Sequence, residues 1–314
     1  MGVFSLTLEQ MLMMFVLIAL GFVLRKCRRL PENANVVMSK LEVYVFTPAL
    51  LLYSQMTKCT PENFAAYWPL IFVGTLVTLG GIALSFPLSR LFVKEDNYRR
   101  KVYQYAMSFG NFGFMGNFII LGVFGSDMFF RYGLFTLGTN ILCNSFGLYI
   151  LIPKDKGAGF MQSLKKGLLT PPIIAMLCGM AMGLTGIGQY LPAFILKALD
   201  SAGNCQGPVA MLLAGFVVGG YDLKEMLLNK KVYAASVVRL ICLPALAVCM
   251  VKLLGGDQTM QILTLIAVGT PLGLNTVVFP SAYGGDPKPG ASMALISHML
   301  SVATIPLMYL LLIG

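Results

Sequence analysis

Two apolar stretches of the chain contain residues that could bind a ligand. Residues 108–125 read SFGNFGFMGNFIILGVFG, and residues 269–284 read GTPLGLNTVVFPSAYG. Both stretches combine glycine with asparagine, and the second also contains Pro271 and Pro280. Glycine and proline are the residues least suited to the middle of a helix. The sequence therefore predicts two helices that are each broken near their middle.

A broken helix exposes polar main-chain groups where it is interrupted. Each half-helix that begins there has free N–H groups and about half a positive elementary charge. Two such ends side by side favour a carboxylate without requiring a full cation. Asparagine and threonine side chains can add hydrogen bonds to such a ligand, although they can also cap half-helices or join neighbouring helices. The residues predicted to line this anion site are Asn111, Gly116, Asn117, Pro271, Asn275 and Thr276.

The composition places both stretches in a membrane. Of the 314 residues, 57% are hydrophobic and 11% are charged, and the mean hydropathy is +0.78. This is too apolar for a soluble domain. About 20 apolar residues are needed to span the hydrocarbon core. The sequence predicts an all-α membrane protein with ten transmembrane helices, of which the fourth and ninth are broken, near residues 7–25, 35–56, 64–89, 101–123, 128–152, 168–185, 190–219, 231–254, 258–282 and 290–313.

The net charge of +10 is better explained by membrane topology than by a nucleic-acid partner. Of the 23 lysines and arginines, Lys197 and Arg239 lie inside predicted segments, and Lys58, Arg131 and Lys252 lie in connections on one side of the membrane. The remaining 18 lie in connections on the other side. Because basic connections face the cytoplasm, we expect a multi-pass protein of the cell (plasma or inner) membrane with both termini outside the cytoplasm.

Landmark residues recur at a nearly constant spacing along the chain. Three pairs lie 160, 158 and 159 residues apart, namely Pro48 and Pro208, Asn117 and Asn275, and the tetrapeptides 124–127 (FGSD) and 283–286 (YGGD). Five segments per half is an odd number, so homologous halves must have opposite orientations in the membrane. The spacing predicts two inverted five-helix repeats, residues 1–152 and 168–314. A cytoplasmic linker with a short amphipathic stretch joins them at residues 153–167.

Few ionisable residues lie within the predicted segments. A charge at the bilayer centre costs about 2.5–3.5 kcal/mol on insertion scales, so each one is a candidate functional residue. Glu42 is close to the cytoplasmic end, and we expect its side chain to extend to the interface. Lys197 and Asp200 are spaced to pair on one helix face. Asp200 and Asn204 also belong to a polar patch that could face the broken helices as coupling or support residues.

The single histidine, His298, follows a serine in the last predicted helix. We expect it either to be a buried, hydrogen-bonded side chain or to carry a coupling proton. The seven cysteines are scattered and include no Cys-x-x-Cys pair, so the sequence indicates neither disulfides nor a zinc site. No metal and no cofactor are expected. The usual motifs of intramembrane metal, serine and aspartyl enzymes are missing, so an enzyme is only a remote alternative.

Three stretches resemble the auxin efflux carrier family of membrane transporters. Residues 19–56 (ALGFVLRKCRRLPENANVVMSKLEVYVFTPALLLYSQM) resemble its first two helices, residues 111–120 (NFGFMGNFII) its fourth-helix crossover, and residues 278–312 (VFPSAYGGDPKPGASMALISHMLSVATIPLMYLLL) its ninth and tenth helices. The family's crossover proline would fall at Phe118 and its counterpart at Thr276, so this chain departs from the family pattern there.

The resemblance implies the fold shared by bile-acid symporters and sodium–proton antiporters. It implies a scaffold of helices 1, 2, 6 and 7, a transport domain of helices 3–5 and 8–10, and a homodimer formed through the scaffold. It also implies an organic anion as substrate, such as a small mono- or dicarboxylate. We therefore predict an elevator-type secondary transporter of organic anions. A sodium- or proton-coupled carrier of the same fold is the alternative.

Overall fold

The computed structural model describes residues 2–95, 97–151, 160–277 and 288–314. Residues 275–277 are helical. The helical run Phe112–Leu151 is divided into two helices at Gly125, where φ is 79°. Glycine adopts this left-handed conformation at little cost, so the chain turns there. The helices are α1 (Val3–Lys26), α2 (Ala34–Lys58), α3 (Pro61–Phe92), α4 (Tyr98–Ser108), α5 (112–124), α6 (126–151), α7 (Phe160–Leu168), α8 (Pro171–Thr185), α9 (Ala193–Gly219), α10 (Leu223–Leu227), α11 (Lys230–Leu253), α12 (Gln258–Gly269) and α13 (Lys288–Leu312).

The described residues contain helices and no β-strand, which confirms the all-α class. Seven helical runs within them are long and apolar enough to cross a membrane: α1, α2, α3, residues 112–151, α9, α11 and α13. The apolar helices α8 and α12 are shorter, with 15 and 12 residues. Large apolar side chains such as Leu76, Leu91 and Leu253 are exposed on the outer faces, as the hydrocarbon of a bilayer requires. The chain is a multi-pass membrane protein.

One group of helices is formed by α1, α2, α8 and α9. The helix α1 packs along the second half of α9, and α8 packs along the second half of α2. Glycines bring these backbones close together: a Cβ on Gly21 would overlap the carbonyl of Leu212, and a Cβ on Gly215 would overlap that of Ile18. Small residues at helix contacts are the usual means of close packing in membranes.

The other helices form a second group around the two broken segments. The helix α3 packs on α4 and α6, where the hydroxyls of Thr78 and Thr139 are 2.6 Å apart. The helix α11 packs against both α12 and α13. A Cβ on Gly74 of α3 would overlap the carbonyl of Phe135 in α6. The two groups meet mainly where α1 and α9 contact α5 and α13.

The amphipathic stretch predicted in the linker coincides with α7, which extends one residue beyond the predicted boundary at 167. This helix packs against the turn Cys143–Gly147 near the end of α6. The linker residues 153–159, Pro280 and the landmark tetrapeptide 283–286 lie outside the described residues.

The prediction that Glu42 reaches the membrane interface is wrong. Its side chain is 0% exposed within a π-helical turn, Glu42–Phe46, that packs against α8 and α9. A π-helical turn contains an extra residue, which changes the direction of the side chains around it. One carboxyl oxygen, Oε2, accepts a hydrogen bond from the Thr47 hydroxyl at 3.4 Å, and Oε1 has no partner among the described residues.

Candidate functional site

The two broken segments cross each other by direct main-chain contact. The first break separates α4, which ends at Ser108, from α5, and the second separates α12, which ends at Gly269, from residues 275–277. The Asn111 N–H donates a hydrogen bond of 2.8 Å to the carbonyl of Pro271, within an isolated antiparallel bridge between Gly110 and Leu272. Two stretches that are about 160 residues apart in sequence therefore meet at one point, which we call the crossing.

Glycine makes this close approach possible. A Cβ on Gly110 would lie 2.6 Å from the Thr270 hydroxyl oxygen and 2.8 Å from the Thr270 carbonyl oxygen. On the facing segment, a Cβ on Gly273 would lie 3.2 Å from the Gly110 carbonyl oxygen. Side chains at these positions would separate the two segments, since carbon and oxygen atoms do not approach that closely without a shift.

Neighbouring residues of α13 bind the two segments. The Ser297 hydroxyl accepts a hydrogen bond of 3.1 Å from the Leu272 N–H. Next to it, His298 Nε2 lies 3.2 Å from Asn111 Nδ2. Both side chains are buried. The last helix therefore holds the crossing from one side with two adjacent residues, and only His298 of this pair was singled out as a candidate from the sequence.

The contacts of His298 define one arrangement of protons. Its Nδ1 lies 2.7 Å from the Ala294 carbonyl oxygen, so Nδ1 carries the hydrogen and donates it. Its Nε2 then accepts from the amide of Asn111. A neutral imidazole satisfies both contacts, because neutral histidine has one donor and one acceptor nitrogen. The geometry fits the structural alternative stated for His298 and does not test a coupling role.

The asparagines that follow the two breaks lie in different surroundings. Asn117 is 5% exposed, and its side chain forms no hydrogen bond with any described residue. Asn275 is half-buried and points its Nδ2 at the Cys143 thiol, 3.8 Å away. Thr276 is fully buried, and its hydroxyl donates to the Gly273 carbonyl at 2.8 Å. Thr276 is therefore engaged in holding the restart of the second helix.

Gly116 is packed against an aromatic side chain. A Cβ at this position would overlap the hydroxyl of Tyr132, a fully buried residue of α6. That hydroxyl donates a hydrogen bond of 3.1 Å to the Phe112 carbonyl in the first, π-helical turn of α5. Gly116 thus allows Tyr132 to fasten the start of α5, which is a packing role.

Glutamine side chains join the first helix group to α5. Gln206 of α9 donates to the Gly113 carbonyl at 3.3 Å, and Gln10 of α1 donates to the Phe118 carbonyl at 3.1 Å. The Phe118 ring lies directly over Gly207, where a Cβ would overlap it. Phe118, where the resemblance to the auxin efflux carrier family would place the crossover proline, is therefore an aromatic residue that fits against a glycine of α9.

The predicted polar patch on α9, with Asp200, Asn204 and the nearby Gln206, lies in two different environments. Gln206 is 1% exposed and reaches α5, whereas Asp200 and Asn204 are exposed on the outer surface of the described chain. Lys197 is exposed as well and forms no salt bridge with Asp200, so the pair favoured by their spacing is not formed.

Arg239 of α11 is a further residue of the crossing. It is 2% exposed, and its Nη1 donates to the Met107 carbonyl at 2.9 Å, in the last turn of α4. A Cβ on Gly110 would lie 2.5 Å from its Nη2. The sequence showed Arg239 as an ionisable residue inside a predicted segment, but no motif linked it to the broken helices. The available signal was the charge itself, because a charged side chain inside a membrane segment is costly and is therefore a candidate functional residue.

The crossing presents donors and no described acid. The N–H groups of residues 112–114 precede the first helical hydrogen bond of α5, which runs from Met115 to Asn111. None of the described residues accepts a hydrogen bond from them, and they lie at the positive end of a helix. Within the described ranges no cluster of His, Cys, Asp or Glu could hold a metal ion. The arrangement is chemically suited to an anion.

Crossed, interrupted helices inside a multi-pass membrane protein are typical of secondary transporters. A family model described as "Membrane transport protein" matches residues 6–154 and 159–309, and the chain belongs to that family. This is the auxin efflux carrier family that the sequence motifs indicated, so the predicted family is confirmed.

Two archaeal proteins are similar to the chain over nearly its whole length. The "Uncharacterized transporter MJ1031" of Methanocaldococcus jannaschii is 23% identical over 301 residues, which cover 96% of this chain and 97% of that protein. An "Uncharacterized transporter" of Methanothermobacter thermautotrophicus is 22% identical over 308 residues, covering 97% of this chain and 98% of that protein.

Proposed function

We propose that the protein is a secondary transporter of small organic anions, either auxin-like or malate- and malonate-like carboxylates. The observation that carries the proposal is the crossing itself. There the Asn111 N–H bonds to the Pro271 carbonyl, and α5 begins with the N–H groups of residues 112–114, which have no acceptor in the described part of the chain. Helix N-termini bind carboxylates because their donors converge and their dipoles favour negative charge. Asn117, whose amide has no partner among the described residues, adds a donor to this end.

The same observation disfavours the alternative, a sodium-coupled carrier of this fold. A sodium site needs several oxygen ligands and commonly includes carboxylates. The described residues of the crossing contain no aspartate or glutamate, and the buried Glu42 lies in α2, outside the broken segments. Flux that is independent of sodium would agree with this assignment.

We propose that transport follows from movement of one helix group against the other. The scaffold would be α1, α2, α8 and α9, and the transport domain would be the remaining membrane helices. The separate packing of these groups supports this division. The ten spans would form two inverted repeats, residues 1–152 and 168–314. The α-helical parts of both restarts begin at the paired landmarks Asn117 and Asn275, which supports the repeat.

We place the protein in the cell membrane with both termini outside the cytoplasm, because the basic connections then face inward. An anion that leaves a cell with an inside-negative potential gains about 2.3 kcal/mol per charge per 100 mV. Uncoupled transport of a carboxylate would therefore favour export.

We further propose that the scaffold forms a homodimer. The exposed Lys197, Asp200 and Asn204 of α9 lie on a membrane-spanning helix, and polar side chains in contact with lipid are costly. A second copy would cover them. Cys205 is an exposed neighbour, so oxidative cross-linking in vesicles should give a dimer that Cys205→Ser abolishes.

The test is tracer flux and current in proteoliposomes with malonate, malate and indole-3-acetate, with and without sodium and pH gradients. Thermal shifts by the same acids would be compared for Asn117→Ala, Asn275→Ala and the control Asn33→Ala. Asn33 is exposed and makes no side-chain cap bond. We expect the shifts to fall for the first two variants only. Absence of flux and current for all three acids would contradict the proposal.

A further inference from the structure

Arg239 is a cation placed inside the membrane-spanning part of the molecule. It lies in a π-helical turn of α11, Val238–Cys242, and only 2% of the residue is exposed. No described carboxylate forms a salt bridge with it, and its Nε has no hydrogen-bond partner in the described part of the chain. An isolated buried charge is costly unless something offsets it.

The groups that offset it are the ends of two half-helices. The Met107 carbonyl, which accepts from Arg239 Nη1 at 2.9 Å, belongs to the last turn of α4. Thr270 directly follows the end of α12. A Cβ built on Gly110 would lie 2.5 Å from Arg239 Nη2 and 2.6 Å from the Thr270 hydroxyl oxygen, so these two groups are close to each other. The guanidinium group therefore lies beside the C-terminal ends of both half-helices.

The charges of these ends match one guanidinium group. A helix C-terminus carries about half a negative elementary charge, so the two ends together carry about one. Such a pair of ends would attract a small cation if nothing else balanced it. Arg239 supplies that positive charge permanently. The opposite end of the first break, at the start of α5, keeps its positive charge and its N–H donors, for which the described residues provide no acceptor.

We propose that Arg239 is the positioning residue that makes the crossing selective for anions, because its fixed charge cancels the negative helix ends where a mobile cation would otherwise bind. The inference rests on the proposed function, since it explains how that site comes to prefer an anion. Arg239 acts through the field at the crossing and through its hold on α4, and it does not need to touch the substrate.

A thiol probe measures this field without a substrate. Gly113 is in the first turn of α5, and a Cβ there would have no atom within 4 Å. Gly113→Cys, in a chain whose exposed cysteines are changed to serine, would react with negatively and positively charged methanethiosulfonates. We expect Arg239→Gln, which removes the charge and leaves a shorter polar side chain, to lower the ratio of anionic to cationic reactivity about tenfold. Arg239→Lys should keep the ratio within about threefold.

The control is Arg131→Gln, which removes an arginine that stacks on Tyr67 at 4.1 Å, away from the crossing. Its ratio should not change. In parallel, Arg239→Gln should weaken binding of indole-3-acetate but not of the neutral indole-3-acetamide. An unchanged ratio in Arg239→Gln, or an equal loss for acid and amide, would overturn the assignment. If Arg239→Gln lowers the ratio but the unaltered protein transports none of the carboxylates, the proposed function alone would be overturned.

Discussion

Asn111 and His298 are 187 residues apart in sequence, and their side-chain nitrogens Nδ2 and Nε2 are 3.2 Å apart in the structure. This contact fixes the first broken segment to α13. On the other side of the ring, Nδ1 lies 2.7 Å from the Ala294 carbonyl oxygen, one turn earlier in the same helix. The ring therefore connects the crossing to the backbone of α13 through two hydrogen bonds.

The first prediction concerns this ring. His298→Ala removes the acceptor for Asn111 and leaves a buried amide unpaired, which should cost about 1–3 kcal/mol. His298→Gln can keep the bond through its amide oxygen and should lose less. The measurement is the apparent Tm in detergent. Ser301→Ala is the control, because Ser301 is buried one turn along and, among the described residues, its hydroxyl bonds only to the His298 carbonyl. Equal losses for Ala and Gln would contradict the role of the bond.

The same variants separate a structural ring from a proton carrier. Because a neutral imidazole satisfies both contacts, we expect His298→Gln to keep whatever pH dependence the flux of the unaltered protein shows. Loss of that dependence would assign the ring a coupling role instead.

The second prediction concerns close approach at the crossing. Gly110→Ala would place a Cβ 2.5 to 2.8 Å from Arg239 and Thr270. Overpacking of this kind should cost about 1–3 kcal/mol and should also abolish flux by separating the segments. Gly113→Ala is the matched control in the next turn, since its Cβ meets nothing within 4 Å. If Gly113→Ala lowered the Tm as much as Gly110→Ala, the importance of the main-chain contact would be refuted.

The third prediction tests whether Gly116 serves packing or ligand binding. Gly116→Ala should lower stability by about 1–3 kcal/mol because its Cβ overlaps the Tyr132 hydroxyl. Tyr132→Phe removes that hydroxyl, and the nearest remaining atom would be the ring Cζ at 3.2 Å. The double variant should therefore be more stable than the sum of the single effects, with a coupling of about 0.5–3 kcal/mol. Additive losses in Tm would favour a different role for Gly116.

The fourth prediction concerns the contact between the two helix groups. Gln206→Ala removes the donor to the Gly113 carbonyl, a bond worth about 0.5–1.5 kcal/mol. If the bond exists in only one of the states that alternate during transport, its loss should change the initial rate of flux about two- to tenfold and the apparent affinity less. Gln258→Ala, at the exposed start of α12, should change neither. Equal effects in both variants would argue against a state-dependent bond.

The sequence was sufficient for the general architecture because membrane spans are long and uniformly apolar. The breaks were also predictable, because residues such as Gly110 and Pro271 are unfavourable inside a helix. The point where the two broken segments meet was harder to predict, because the crossing depends on main-chain hydrogen bonds that any residue except proline could donate. The pairing of Asn111 with His298 and the contact of Ser297 with Leu272 arise from tertiary packing alone.

The behaviour of the ionisable residues was the least predictable part. Glu42 and Arg239 lie in π-helical turns, and the extra residue of such a turn moves a side chain to another face of the helix. Helical periodicity alone cannot reveal this change. Lys197 and Asp200 have the spacing of a pair, but both are exposed and form no salt bridge with each other, so spacing alone did not predict the contact.

The crossing of Gly110 with Leu272 is built from atoms that every amino acid shares. Its position is secured by the absence of side chains at two glycines. The proposed ligand residues Asn117 and Asn275 are, by contrast, side chains that can be exchanged without touching this main-chain contact. On the proposed function, the choice of cargo can therefore change separately from the frame that carries it.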